Sequence, residues 1–240
     1  MRALLLAVLL LAAWELYAGL GGVDALILPA PTEIAEAGWR DRALLWDNLV
    51  VTAGEVVLGL LAATVVGLGS AVAIHFSRTM RKAAYPLVVA SQTVPIPIVA
   101  PLLIAWFGFG VAPKVLIVAL ICFFPITVAT VDALRRADPE ARKLVRTFDA
   151  TRAQVFRFVE APAALPGALS GAKVAVAIAL IGAVFAEQAG SSEGLGHLLL
   201  QAVPQLETAR AYAAVVLLSA LALLLFGALS LIQRRFVRWS

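Results

Sequence analysis

The side chains able to do chemistry are few, and no arrangement of them builds a catalytic centre. Two histidines, His75 and His197, and a single cysteine, Cys122, are the only imidazole and thiol groups in 240 residues. Cys122 lies in an apolar run, where it cannot form an intrachain disulfide and belongs to no metal-binding cluster. It reads as a buried space-filler. The pattern G-x-x-x-x-G-K-[ST] is absent, so no loop here can cradle nucleotide phosphates. H-E-x-x-H is absent too, and with two histidines a catalytic site is hard to assemble. The expectation is a chain with no catalytic residues, no metal ligands and no cofactor of its own.

The polar residues inside apolar runs are the next candidates. Glu15, Glu55, Gln92 and Lys173 fall there, with His75 near the end of a run. An ionisable group at membrane depth is a functional candidate by default. Lys173 can snorkel to a surface, and Glu55 and His75 lie within reach of interfaces, so these read as packing or interface anchors. Gln92 differs, because it precedes the proline segment Pro95 and Pro97, and these three residues are candidates for lining a translocation pathway.

The elements that must position these residues follow from composition. Hydrophobic residues make up 62% of the chain and charged residues only 14%, with a mean hydropathy of +0.96. Soluble domains carry roughly 45–50% apolar and about 25% charged residues, too few apolar to match this chain. The bilayer is the solvent that fits. The net charge of +4 and pI near 9.6 therefore reflect placement about a membrane and give no reason to expect nucleic acid.

A spanning helix needs about 20 mostly apolar residues. Six segments qualify, at 3–20, 49–76, 86–107, 114–133, 167–187 and 211–232. Pro95, Pro97 and Pro101 in the third and Pro125 in the fourth predict kinked spans packed inside protein. With the N-terminus inside, 15 of the 19 lysines and arginines fall on the inner side, and only Arg40, Arg42, Lys114 and Arg210 fall outside. That asymmetry predicts that both termini are cytoplasmic. Trp14, Glu15 and Tyr17 stand where a small-residue cleavage motif would be, so the first segment reads as a retained helix. Small residues four apart recur in two spans: Gly59, Ala63, Gly67 and Ala71, then Gly167, Gly171, Ala175, Ala179 and Ala183. Such stripes predict close helix packing, within the subunit or across a dimer.

The longest polar stretch on the inner side runs over 134–166. Asp138 and Pro139 predict a helix start. Leu144, Val145 and Phe148 form an apolar stripe, and Asp149 a break that tolerates left-handed backbone. Thr151 predicts the cap of a second helix carrying Val155, Phe156 and Val159, which Pro162 would end. Periodicity supports two readings equally: an amphipathic segment on lipid headgroups, or a docking element for a partner.

Here the chain resembles a family. Lys143-Leu144-Val145, then Asp149, then Val159-Glu160-Ala161-Pro162 are similar in spacing to the EAA region of permease subunits of bacterial ABC importers, with no Glu-Ala-Ala start and Asp in place of Gly. Leu28-Pro29-Ala30-Pro31, Pro101 through Gly110, Phe123-Phe124-Pro125-Ile126 and Gly190 through Gly196 resemble the subfamily handling sulfonates, nitrate, taurine and thiamine precursors. The resemblance implies an all-α type I importer permease, one domain over 1–240, with a core at 49–232 and a coupling loop at 134–166. It implies that Lys143, Leu144, Arg146, Thr147, Asp149, Ala150, Thr151, Val155, Phe156, Val159 and Pro162 serve a separate ATPase subunit that holds the ATP and Mg. It also implies a second permease copy forming a homodimer. An extracytoplasmic solute-binding protein would be received by the outer loops at 21–48 and 188–210. The implied location is the bacterial inner membrane. The phrases of the loop look most like permeases for hydroxymethylpyrimidine, a thiamine precursor. Aliphatic sulfonate, nitrate or taurine is the alternative. An ion-coupled secondary transporter is the remaining rival, for which neither an inverted repeat nor a clear set of intramembrane charges stands out.

Overall fold

In the computed structural model, which describes residues 2–20 and 24–236, the chain is a bundle of helices. Arg238, counted above on the inner side, lies outside the described residues. In chain order the helices are α1 (Arg2–Gly19), α2 (Pro31–Arg40), α3 (Arg42–Phe76), α4 (Arg78–Ala90), α5 (Ile96–Phe107), α6 (Val111–Arg136), α7 (Pro139–Arg146), α8 (Arg152–Val155), α9 (Ala161–Gly190), α10 (Leu195–Ala202) and α11 (Thr208–Phe236). Among the described residues, α3, α6, α11 and the continuous helix Arg152–Gly190 are long and apolar enough to cross a membrane. The apolar run Leu5–Gly19 of α1 is shorter.

The segment expected as one kinked span at 86–107 is two helices. Arg78–Thr93 and Ile96–Phe107 meet at 100°. The cause is local. Val94 precedes a proline and is held extended at φ −83°, ψ 119°, and Pro95 is extended too, at ψ 125°. The hydroxyls of Ser91 and Thr93 donate to the carbonyls of Val88 and Ala90 in the turn that leads into the break. Counted as one span, the pair is a fifth crossing. Pro125, by contrast, lies inside α6 without interrupting it.

The core is built on α6, which packs along both α3 and α9. Glycines decide how closely. A Cβ on Gly59 would stand 2.5 Å from the Val118 side chain, and one on Gly171 would stand 2.6 Å from the Pro125 carbonyl oxygen. Gly67 meets Ile126, and Gly167 meets Ala133, in the same way. In a lipid solvent there is little hydrophobic gain from joining helices, so dispersion across such close contacts carries the association. The two small-residue stripes therefore pack within the subunit. Cys122 is fully buried among them, its Sγ 3.4 Å from the Ala175 carbonyl oxygen.

Candidate functional site

The loop between α6 and α9 folds as two short helices with a turn between them. Asp138 caps α7 by accepting from the Glu140 amide at 2.9 Å, with Pro139 in the first turn, where its missing N–H costs nothing. After Arg146 the chain turns at Asp149, whose φ of 55° lies in the left-handed region. Aspartate tolerates that conformation better than most residues, and glycine better still. Thr151 caps α8: its Oγ accepts from the Gln154 amide, and Gln154 Oε1 accepts from the Thr151 amide at 2.7 Å.

Pro162 does not end this helix, contrary to the expectation from sequence. Residues Phe156–Glu160 form a π turn, and the Ala161 amide donates to the Phe156 carbonyl, five residues back. The widened turn accommodates a proline that has no N–H to give. The helix therefore runs unbroken from Arg152 to Gly190.

The two faces of this element divide the predicted residues. Val155 is buried, and the Phe156 ring lies 5.0 Å from that of Phe76 and 5.9 Å from that of His75 at the end of α3. Arg152 donates to the Phe76 carbonyl at 3.0 Å and stacks over its ring. Glu160, 8% exposed, joins three elements: His75 Nε2 lies 2.7 Å from one carboxylate oxygen and Arg142 Nε 2.9 Å from the other. Arg142 also donates to the Leu134 carbonyl at 2.7 Å. Val159, Ala150 and Pro162 are half-buried. Lys143, Leu144, Arg146, Thr147, Asp149 and Thr151 face outward, and so does Phe148, which is 78% exposed beside Leu144 at 61%. Leu144 of α7 and Phe148 of the turn that follows it, with basic neighbours, thus project from a base locked to α3 and α9.

Residues 56–238 match the model of the binding-protein-dependent transport system inner membrane component. The chain belongs to that family. This permease is 37% identical over its full length to a probable ABC transporter permease protein of Haemophilus influenzae, covering 98% of it. It is 32% identical to a formylaminopyrimidine transport permease of Halalkalibacterium halodurans over 96% of this chain and 92% of that one. A putative aliphatic sulfonates transport permease of Bacillus subtilis is 31% identical over all of this chain and 87% of that one. The fold resembles that of the inward-facing MetNI methionine ABC transporter, with a TM-score of 0.70 and 21% identity, covering 82% of this chain and 97% of that chain. The protein is a multi-pass inner-membrane permease subunit of an ABC importer and is not an enzyme.

The permease also holds a buried charged set of which the sequence singled out only Glu55. Glu55 of α3, expected to serve packing or to anchor at an interface, forms a buried ion pair with Lys114 of α6, the two being 1% and 5% exposed. Lys114 Nζ donates as well to Ser191 Oγ at 2.8 Å. Beside them Glu187, fully buried at the end of α9, accepts from Thr52 Oγ at 2.7 Å and from the Gly196 amide at 2.5 Å. Asn48 and Thr52 accept from the amides of Gly194 and Leu195. This network ties α3, α6 and α9 to the start of α10, and Gly194 is needed there at φ 108° against the Glu187 carboxylate. The signal available in the sequence was Glu187 at the end of the alanine stripe, just before Gly190-Ser191-Ser192-Glu193-Gly194. Those five residues also match G-x-S-x-G. The run follows a helix, whereas a nucleophile elbow follows a strand. Gln92 lies in the short turn before Pro95 and lines a cavity of about 240 Å³ against Ile117 and Ile121 of α6, while Pro97 sits in the first turn of α5. Among the described residues no cluster of His, Cys, Asp and Glu could hold a metal.

Proposed function

We propose that the permease crosses the membrane six times with both ends in the cytoplasm, and that α7, the Asp149 turn and α8 form the element by which its ATPase drives it. The observation supporting this reading is the division of faces. Leu144 and Phe148 project outward with Lys143 and Arg146, while Arg142, Arg152, Phe156 and Glu160 lock the base to α3 and α9. A knob on a rigid base transmits force. The ATPase subunit holds ATP and Mg and receives Leu144 and Phe148 in an apolar groove. Closure of two ATPases against two permease copies, paired as a homodimer, tips the spans between inward- and outward-open states. ATP and the loaded binding protein favour different states of one bistable assembly. The binding protein docks at the opposite end, on the surfaces of α2 and α10.

The test is Leu144→Asp with Phe148→Asp and Arg146→Glu, read by co-purification of the ATPase and by ATP-dependent uptake in vesicles. Loss of both supports docking. Retention of both, or uptake driven by a proton gradient without ATP, overturns it. For the solute, we propose an aliphatic sulfonate or taurine-type anion, supported by three relatives named for aliphatic sulfonates or taurine. The relative named for formylaminopyrimidine supports the second reading, a thiamine-precursor pyrimidine. Thermal shift of the partner binding protein with taurine, alkanesulfonates and hydroxymethylpyrimidine separates them: stabilisation by the pyrimidine alone overturns the sulfonate reading.

A further inference from the structure

Two carboxyl groups and one ammonium lie buried together at the end of the bundle opposite the α7–α8 loop. Glu55, Glu187 and Lys114 are 1%, 0% and 5% exposed. Lys114 Nζ donates to Glu55 Oε1 and to Ser191 Oγ. The Glu187 carboxyl stands within hydrogen-bonding reach of Glu55 and has a donor on each oxygen, Thr52 Oγ on one and the Gly196 amide on the other. Glu55 Oε2 is shielded from solvent and has no donor. The residues around the set bring no second cation. Thr52, Asn48 and Ser191 are neutral, Asp47 and Glu193 are exposed acids, and His197 of α10 forms no salt bridge with either carboxyl. Arg210 of α11 is engaged by Asp41 and Glu207. Among the described residues, the buried set therefore holds two acids against one base, with one oxygen unsatisfied.

We propose that this set binds one proton, carried on Glu55 Oε2 and donated to the Glu187 carboxylate. A buried carboxylate left without a counter-charge takes up a proton in preference to staying ionised. Two carboxyls in contact share one proton and titrate as a pair. With the proton in place, Lys114 balances the single remaining negative charge, Glu187 has three donors, and the orphan oxygen becomes a donor itself. The space fits a proton and nothing larger. Oε2 is enclosed by protein, and no cluster of His, Cys, Asp and Glu among the described residues could hold a metal. A cavity of about 700 Å³, lined by Glu55, Lys114, Ser191 and Glu193, lies beside the set and gives the proton a way in and out. The proton also bears on α10. Glu187 accepts from the Gly196 amide, and Asn48 and Thr52 accept from the amides of Gly194 and Leu195, so the start of α10 hangs on these residues. Release of the proton sets two ionised carboxylates face to face and loosens that hold. The inference depends neither on the solute nor on how the ATPase docks.

The experiment is infrared spectroscopy of the full-length permease with its ATPase at neutral pH, where carboxyls of ordinary acidity are ionised. A protonated carboxylic acid shows a carbonyl stretch that a carboxylate lacks. The spectrum of wild type minus that of Glu55→Gln shows this band. Wild type minus Glu187→Gln shows it as well, because Glu55 then ionises against Lys114. Wild type minus Glu193→Gln, which alters an exposed acid, does not. A companion measurement follows melting temperature from neutral to alkaline pH. The folded chain holds a proton that the unfolded chain releases, so stability falls as pH rises, with the folded-to-unfolded ratio dropping up to about tenfold per pH unit. Glu55→Gln, whose amide keeps its hydrogens, removes that slope. Absence of the band from both the Glu55→Gln and the Glu187→Gln difference spectra overturns the proposal. Melting temperatures of wild type and Glu55→Gln that fall in parallel overturn it too.

Discussion

Single positions in this permease are held by backbone geometry and by buried charge, and each gives a separate expectation. Asp149 adopts φ 55° where the family's pattern carries glycine. Asp149→Gly should preserve uptake and thermal stability, because glycine reaches the left-handed region without a Cβ clash. Asp149→Val should cost about 1–2 kcal/mol locally and lower ATP-dependent uptake, since a β-branched side chain resists that conformation. The buried pair obeys a different rule. Lys114→Met leaves Glu55 and Glu187 without their ammonium, at a cost of about 3–5 kcal/mol. Adding Glu55→Gln to Lys114→Met should recover much of the loss, because the charge left uncompensated is then gone. Thermal unfolding of the detergent-solubilised protein checks both. If the double variant is no more stable than Lys114→Met, the pair is not what the loss measures.

Contacts between elements depend on what each helix surface leaves room for. At Gly171 a methyl group would meet the Pro125 carbonyl and Ala129, so Gly171→Ala should destabilise the α6–α9 contact by about 1–3 kcal/mol. Gly69 faces open space on α3, and Gly69→Ala should be neutral or slightly stabilising, as alanine is the better helix former. Melting temperatures of the two variants make the comparison. The turn into α3 carries a pH dependence. The Arg210 hydrogen bond to Asp41 holds its carboxyl below the usual value of 3.8, aided by Arg40 and opposed by burial. A carboxyl whose pKa is lowered on folding adds stability that is fully present above about pH 4, and that stability is lost as pH falls through the folded value. Wild type should therefore lose stability more steeply than Asp41→Asn below pH 4. Parallel melting curves would show that the Asp41–Arg210 tie contributes nothing.

For the whole molecule, the proposed coupling element makes docking of an ATPase and transmission of its motion separable. Glu160 touches neither the outward face of α7 nor its knob, yet it joins α7 to α3 through Arg142 and His75. Glu160→Gln should leave ATPase co-purification intact and lower ATP-dependent uptake several-fold, whereas Leu144→Asp with Phe148→Asp should abolish both. Equal loss of both readouts in Glu160→Gln would mean that it only holds the loop's fold. Much of this architecture is legible in sequence, because membrane solvation imposes it residue by residue. Composition, the long apolar runs, the glycine stripes and the caps at Asp138 and Thr151 are local signals, and a backbone in lipid must satisfy its own hydrogen bonds locally. The break at Val94–Pro95, the passage of the helix through Pro162 and the pairing of Glu55, Lys114 and Glu187 were not legible. Whether a proline kinks, breaks or is absorbed depends on whether neighbouring groups take up the freed carbonyls. Whether a charge anchors at an interface or pairs in the core depends on which residues distant in sequence face it. The polar residues first singled out for their chemistry, Glu55 and His75, were thus identifiable from the chain alone. Their partners, Lys114 and Glu160, were supplied only by the packing of α6 and α8–α9 against α3.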